Sequence, residues 1–141
     1  MSMSELPLFT WPVRVYWEDT DAGGVVYYAN YLKFLERART EWLSALGLEQ
    51  DRLAAEAGVV FVVRRVEADY LRPARFNDRL TVESRLAALN RASLEMAQRI
   101  LRPGEGGEEV LLEAVVKVAC VAHSDFRPAK IPPIVTQAFN R

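Results

Sequence analysis

The chain has 141 residues, 50% of them apolar and 26% charged, which is enough material for one domain with a core of its own. Lys plus Arg number 18 against 19 Asp plus Glu, so there is no basic field of the kind that carries non-specific nucleic-acid or membrane-surface affinity. The single cysteine, Cys120, excludes an intramolecular disulfide and a Cys-based zinc site within one chain, and fits a reducing compartment. The start "MSMSELPLFTWPV" lacks the basic and apolar regions of a leader, and no stretch approaches the ~20 apolar residues of a membrane span. The expectation is a cytoplasmic protein without an integral membrane segment.

Residues 13–17, "VRVYW", are β-branched and aromatic and predict a first strand ending at the acidic-glycine segment "EDTDAGG". From Ala29 to Leu46 apolar residues recur at Tyr31, Phe34, Leu35, Ala38, Trp42, Ala45 and Leu46, which is helical period. Asn30 is the candidate cap of this helix, and Gly47 stands where a left-handed C-terminal residue belongs. A shorter helix is predicted over 49–57, ending at Gly58.

After Gly58 the period becomes two. Val62, Val66, Ala68 and Tyr70 alternate with Val63, Arg65, Glu67 and Asp69, and Pro73 closes the run. Three further strands follow, with shared faces Leu80, Val82, Leu86 and Ala88; Ala92, Leu94, Met96, Gln98 and Ile100; and Val110, Leu112, Ala114, Val116, Val118 and Cys120. "PGEGGE" joins the last two as a hairpin turn; its glycines do not lead into a helix, as a phosphate-cradling loop must. The tail "RPAKIPPIVTQAFNR" is proline-broken and reads as irregular. One long apolar helix and a mostly antiparallel sheet must cover each other, which gives a two-layer α+β domain. The run "VVFVV" at 59–63 is apolar on both faces and belongs at a subunit contact or under a helix.

The segment "EDTDAGGVVYYANY" concentrates the chemistry. A carboxylate beside Gly23 and Gly24 can be approached closely, because glycine presents no Cβ. The helix that follows offers unpaired amides and the positive end of its dipole. A carboxylate next to such donors suits acyl transfer, the donors stabilising an oxyanion while the carboxylate attacks or activates water. The plain alternative is an Asp-Thr turn and cap. A calcium loop fails: Asp19 and Asp21 have the first ligand offsets, but the position that needs a bidentate Glu is Asn30. No nucleophile-elbow sequence accompanies His123, the only histidine, which reads as solvated or structural.

With the helix attached, "VYWEDTDAGGVVYYANYLKFLERARTEWL" closely resembles the 4-hydroxybenzoyl-CoA thioesterase family, and within it the YbgC type associated with the Tol-Pal system. The resemblance runs from about Val13 to Pro132. It implies the hotdog fold, a long central helix wrapped by a five-stranded antiparallel sheet, in a homodimer or homotetramer with the active site at the subunit boundary. It further implies hydrolysis of an acyl-CoA thioester with no cofactor beyond the CoA of the substrate, and a possible link to acyl carrier protein. By position, Asp21 matches the family's catalytic carboxylate, as nucleophile or general base. Tyr28 stands where a backbone amide polarises the thioester carbonyl, with Gly24 and Val25 of the motif beside the substrate. YbgC-type chains usually carry histidine at that position; tyrosine keeps the N–H and removes the imidazole.

Residues 64–102 carry nine arginines against five acidic residues. Within them "NRASL" matches the family's phosphate-contacting segment, so Arg91 and Ser93, with Lys130 as a weaker candidate, are the expected contacts to CoA phosphates. Two other classes compete with hydrolysis. One is a non-catalytic acyl-CoA or acyl-carrier-protein binding module. The other is a hotdog hydratase or dehydratase, which needs a catalytic histidine that this segment does not contain.

Overall fold

The helical period in the first third of the chain resolves as α1, Asn30–Ala45, which buries Tyr31, Phe34, Leu35, Ala38, Trp42 and Leu43. The computed structural model describes residues 8–140. Helix α1 stops at Gly47, whose φ of 81° puts it in the left-handed region. Its amide donates to Ser44 O at 2.9 Å and Leu48 N–H to Leu43 O at 2.8 Å, a double closure that satisfies the last carbonyls. Helix α2, Gln50–Ala57, ends the same way at Gly58.

Around these lie β1 (Phe9–Arg14), β2 (Val59–Tyr70), β3 (Arg79–Leu89), β4 (Ser93–Gly104) and β5 (Gly107–Ala122). They form one five-stranded sheet in the order β1-β3-β4-β5-β2, with every neighbouring pair antiparallel. The β4–β5 hairpin turns at Glu105 and Gly106, as expected, with Gly107 at a φ of 117°. The α+β class and the long helix against an antiparallel sheet are therefore as the sequence indicated.

Four details differ. The first strand is Phe9–Arg14 rather than 13–17, and Trp17–Asp19 form a single 3-10 turn. Asn30 lies inside α1 as its first residue, and the preceding Ala29 makes no side-chain cap. The tail is not wholly irregular: Pro133–Phe139 form a last helix, α3, with proline at its start, where a missing N–H costs nothing. It buries Val135, Ala138 and Phe139, the last edge-on to Trp42 at 5.2 Å between rings.

The fourth difference is a set of three β-bulges. Register shifts occur between Val63 and Arg65, between Leu86 and Ala88, and between Ile100 and Leu101, where Leu111 is the extra residue and Val110 leaves the face expected to hold Leu112. Each inserts one residue and flips the side-chain alternation beyond it. Val63, opposite Val118, therefore shares a face with Val66, opposite Val116, and Val62 does not. Leu89, opposite Leu94, replaces Ala88 on the inner face. The apolar run 59–63 starts buried at Val59 and packs by α2, but Val62 and Val63 are exposed on an edge strand.

The core has two parts. One gathers Trp42, Leu43, Leu94, Met96, Val116 and Val118 with Leu53 of α2 and the buried residues of α3. The other gathers Phe34, Leu35, Ala38, Val82, Ile100 and Leu112 with Val15 and Val26, which flank the acidic-glycine segment. Truncating a fully buried Phe34 to Ala is worth about 3–5 kcal/mol in such a setting.

Candidate active site

Asp19 and Asp21 alternate across the turn and meet opposite fates. Asp19 is 4% exposed. Its Oδ2 accepts the Tyr16 N–H at 2.8 Å, its Oδ1 accepts Asn30 Nδ2 at 2.6 Å, and its carbonyl accepts the Tyr27 N–H at 3.0 Å. This buried aspartate ties the turn to the first residue of α1.

Asp21 is exposed at the tip. Its Oδ1 accepts the Gly23 N–H at 2.8 Å, while Oδ2 has no hydrogen-bond partner among the described residues. Its backbone is fixed on both sides: Asp21 N–H donates to Val25 O at 2.9 Å and Gly24 N–H donates to Asp21 O at 3.1 Å. Gly24, at a φ of 79°, makes this closure possible. The Gly24 amide is spent inside the turn and Val25 O accepts the Asp21 N–H, so the two residues hold Asp21 in place.

Val26 is buried and its N–H donates to Ala74 O at 2.8 Å, anchoring the turn to the segment before β3. Directly afterwards, the N–H groups of Tyr28 and Ala29 have no acceptor among the described residues. They stand at the uncapped start of α1, where the helix dipole is positive. The site thus pairs a carboxylate oxygen with free amides.

Tyrosines frame it. Tyr70, the last residue of β2, donates from its hydroxyl to Tyr28 O at 3.0 Å and stands edge-on to Tyr31 at 5.4 Å between rings. Tyr31 accepts the Ala74 N–H at 2.9 Å. Burial, then the nearby Tyr31 and Tyr28, push the Tyr70 phenol above its ordinary value, so it remains a donor. Cys120 is fully buried, and burial pushes its thiol up, which removes it as a nucleophile.

A thioesterase-like superfamily model matches residues 15–139, which includes the turn, strands β2 to β5 and α3. The chain belongs to the thioesterase-like superfamily. It is 44% identical over 132 residues to the acyl-CoA thioesterase YbgC of Haemophilus influenzae, covering 94% of each chain. Among solved structures it resembles a probable thioesterase from Bartonella henselae, 37% identical with a TM-score of 0.81, covering 89% of this chain and 100% of that one. It also resembles a 1,4-dihydroxy-2-naphthoyl-CoA thioesterase from Synechocystis, 25% identical with a TM-score of 0.85, covering 95% and 96%. The fold of this superfamily member is the hotdog fold.

Arg91, Ser93 and Lys130 lie together at one corner: Arg91 O accepts the Ile131 N–H at 2.8 Å, and Ser93 Oγ accepts Asn90 Nδ2 at 3.3 Å. That corner is not beside Asp21. The turn that carries Asp21 packs on residues 74–78 just before β3, whereas Arg91 follows its far end. Eleven strand residues separate them, about 30 Å at the usual rise. Sequence reasoning missed Asp19, Asn30 and Tyr70 as parts of the site. Asp19 and Asn30 sit in the quoted motif, but only the fold reveals that they bind each other.

Proposed function

We propose that this chain hydrolyses an acyl-CoA thioester to the free acid and CoA. The observation that carries the reading is Asp21, held in a closed turn with one carboxylate oxygen free, directly before the unpaired amides of Tyr28 and Ala29. The names of the related thioesterases, at up to 44% identity, support the substrate class.

In this reading the thioester carbonyl oxygen faces the Tyr28 amide, where negative charge develops as the carbonyl becomes tetrahedral. Asp21 Oδ2 either attacks the carbonyl carbon, giving an acyl–Asp21 anhydride that water then hydrolyses, or removes a proton from a water that attacks the same carbon; in both routes the C–S bond breaks and CoA leaves as a thiolate. The route needs no resident cofactor. Turnover in 18O-labelled water separates the routes: water attack on the anhydride at Asp21 Cγ leaves label in the Asp21 carboxylate, whereas a water activated by Asp21 puts its oxygen only in the product acid. Separation of Asp21 from Arg91, Ser93 and Lys130 implies that phosphate contacts come from another copy, in a homodimer or homotetramer. An acyl carrier protein thioester is a further substrate of the same chemistry.

The test is thiol release from a panel of acyl-CoAs by the wild type and Asp21→Asn. Turnover by the wild type that vanishes in the variant is expected. Calorimetric binding with no thiol release from any member would replace hydrolysis with a binding module.

A further inference from the structure

Helix α1 and strand β2 run side by side in opposite directions. Tyr28 and Tyr70 meet at the end nearest the catalytic turn, and Thr40 and Leu43 face Phe61 and Val63 at the other. Between them a groove opens along Leu32, Lys33 and Glu36 against Val63 and Val66, and deepens into a cavity of about 70 Å³ walled by Leu43, Phe61, Leu94, Met96 and Val118. The cavity walls are apolar apart from Glu36, Arg39, Thr40 and Gln50, the groove adds Lys33 and Arg37 on its open side, and Arg39 lines both.

Arg39 is anomalous. It is partly buried, yet no carboxylate lies within ion-pair distance among the described residues. Among the described residues only one of its five N–H donors is used, by Gln98 Oε1 at 2.9 Å. Burial pulls the guanidinium below its ordinary value, with the Glu36 charge opposing. A desolvated arginine is ordinarily paired, because burying an unpaired charge is costly. Its position is fixed from below: Gln98 is fully buried, and its Nε2 donates to Ser84 Oγ at 2.9 Å and to Leu35 O at 3.1 Å, which turns Oε1 toward Arg39. The remaining fork of donors is therefore preorganised for an oxygen anion.

We propose that this groove receives the acyl group and that Arg39 is a specificity-determining residue, favouring acyl groups whose far end carries a carboxylate over those ending in methyl. This rests on the thioester-hydrolase reading above. From Asn30 to Arg39 the helix rises ~14 Å, and its side chains lean back toward the N-terminus. Short acyl groups therefore stop short of Arg39, and medium-length ones reach it.

The experiment compares kcat/KM for matched pairs of equal length: adipyl against hexanoyl, suberyl against octanoyl, and sebacyl against decanoyl CoA. The wild type is expected to favour the carboxyl-ended member of at least one longer pair, and Arg39→Met to lower that ratio about tenfold or more, with Arg39→Lys between them. A wild type that favours the methyl-ended member of every pair overturns the proposal without any variant. So does a ratio unchanged in Arg39→Met. Loss of both substrates alike, with a shift toward smaller species in sedimentation, assigns Arg39 to a carboxylate of a second copy and also overturns it. No thiol release from any substrate by the wild type overturns the hydrolase reading instead.

Discussion

Asn30 Nδ2 donates to Asp19 Oδ1 at 2.6 Å, so the first residue of α1 holds the buried aspartate that shapes the turn carrying Asp21. The two aspartates of the motif differ in burial, and the proposed hydrolysis assigns stability to Asp19 and chemistry to Asp21. Asn30→Ala leaves a buried carboxylate short of one bond, a loss of about 1–3 kcal/mol, or some 2–4 °C in Tm per kcal/mol for a chain of this size. Asp21→Asn removes a group that is exposed and binds only its own turn. It is expected to keep the wild-type Tm and lose turnover by ~100-fold or more. Thermal melts beside thiol-release assays check both; a large Tm loss in Asp21→Asn would reverse the assignment.

Tyr28 acts in this scheme through its amide. Tyr28→Phe and Tyr28→His keep the N–H and are expected to retain turnover within a few-fold. Tyr28→Pro deletes a donor that has no acceptor among the described residues, and a drop of ~100- to 1,000-fold in kcat is expected. Circular dichroism of the proline variant shows whether α1 survives. Equal losses in all three variants would place the role in the phenol instead.

What the sequence made legible and what it hid follow from how far each signal reaches. The α1 stripe and the glycine closures are local, so Phe34, Trp42, Gly47 and Gly58 could be placed from periodicity and backbone preference alone. The bulges beyond Val63 and Leu86 could not, since one extra residue leaves composition unchanged while reversing every later side chain. Helix α3 was hidden because its three buried residues make sense only against Trp42 and the rest of that core cluster. The motif around Asp21 was readable, yet the division between Asp19 and Asp21 depends on which carboxylate the fold buries.

Gln98 was legible as a polar residue on an apolar face, and it bridges Ser84, Leu35 O and Arg39 in the core. Gln98→Leu strands those groups and is expected to destabilise by about 1–3 kcal/mol. Ser84→Ala placed on top of it removes one stranded hydroxyl, so the double variant is expected to lose less than the sum of the single losses. Denaturant unfolding of the four proteins measures the coupling, and strict additivity would deny the network.

Arg102 clamps the segment before β3 to the β4–β5 hairpin, donating to Asp78 Oδ2 at 2.8 Å, Pro73 O at 3.1 Å and Glu109 Oε2 at 2.8 Å. The guanidinium holds the Glu109 carboxyl below its ordinary value. A carboxylate depressed in the folded state stabilises above its unfolded pKa, and that stability is lost as pH falls through the folded value. Arg102→Met is expected to lower Tm by a few degrees at neutral pH, since the pairs are partly exposed. Its deficit should narrow on acidification below the ordinary glutamate range; a deficit constant from pH 7 down to pH 3, within that few-degree scale, would exclude the ion pairs as its cause.

Because Asp21 and Arg91 sit at opposite ends of β3, a substrate that meets both must be shared between copies. Asp21→Asn lacks the chemistry, and Arg91→Glu repels phosphate and is expected to raise KM with kcat less affected. In a mixed assembly the intact Asp21 of one copy faces the intact Arg91 of the other, restoring one complete site of every two. Co-expression with distinct affinity tags isolates that species, and about half of wild-type turnover is expected from it below KM. Turnover no higher than that of Arg91→Glu alone would mean that Arg91 never meets the substrate bound at Asp21, and that the phosphate contacts lie elsewhere.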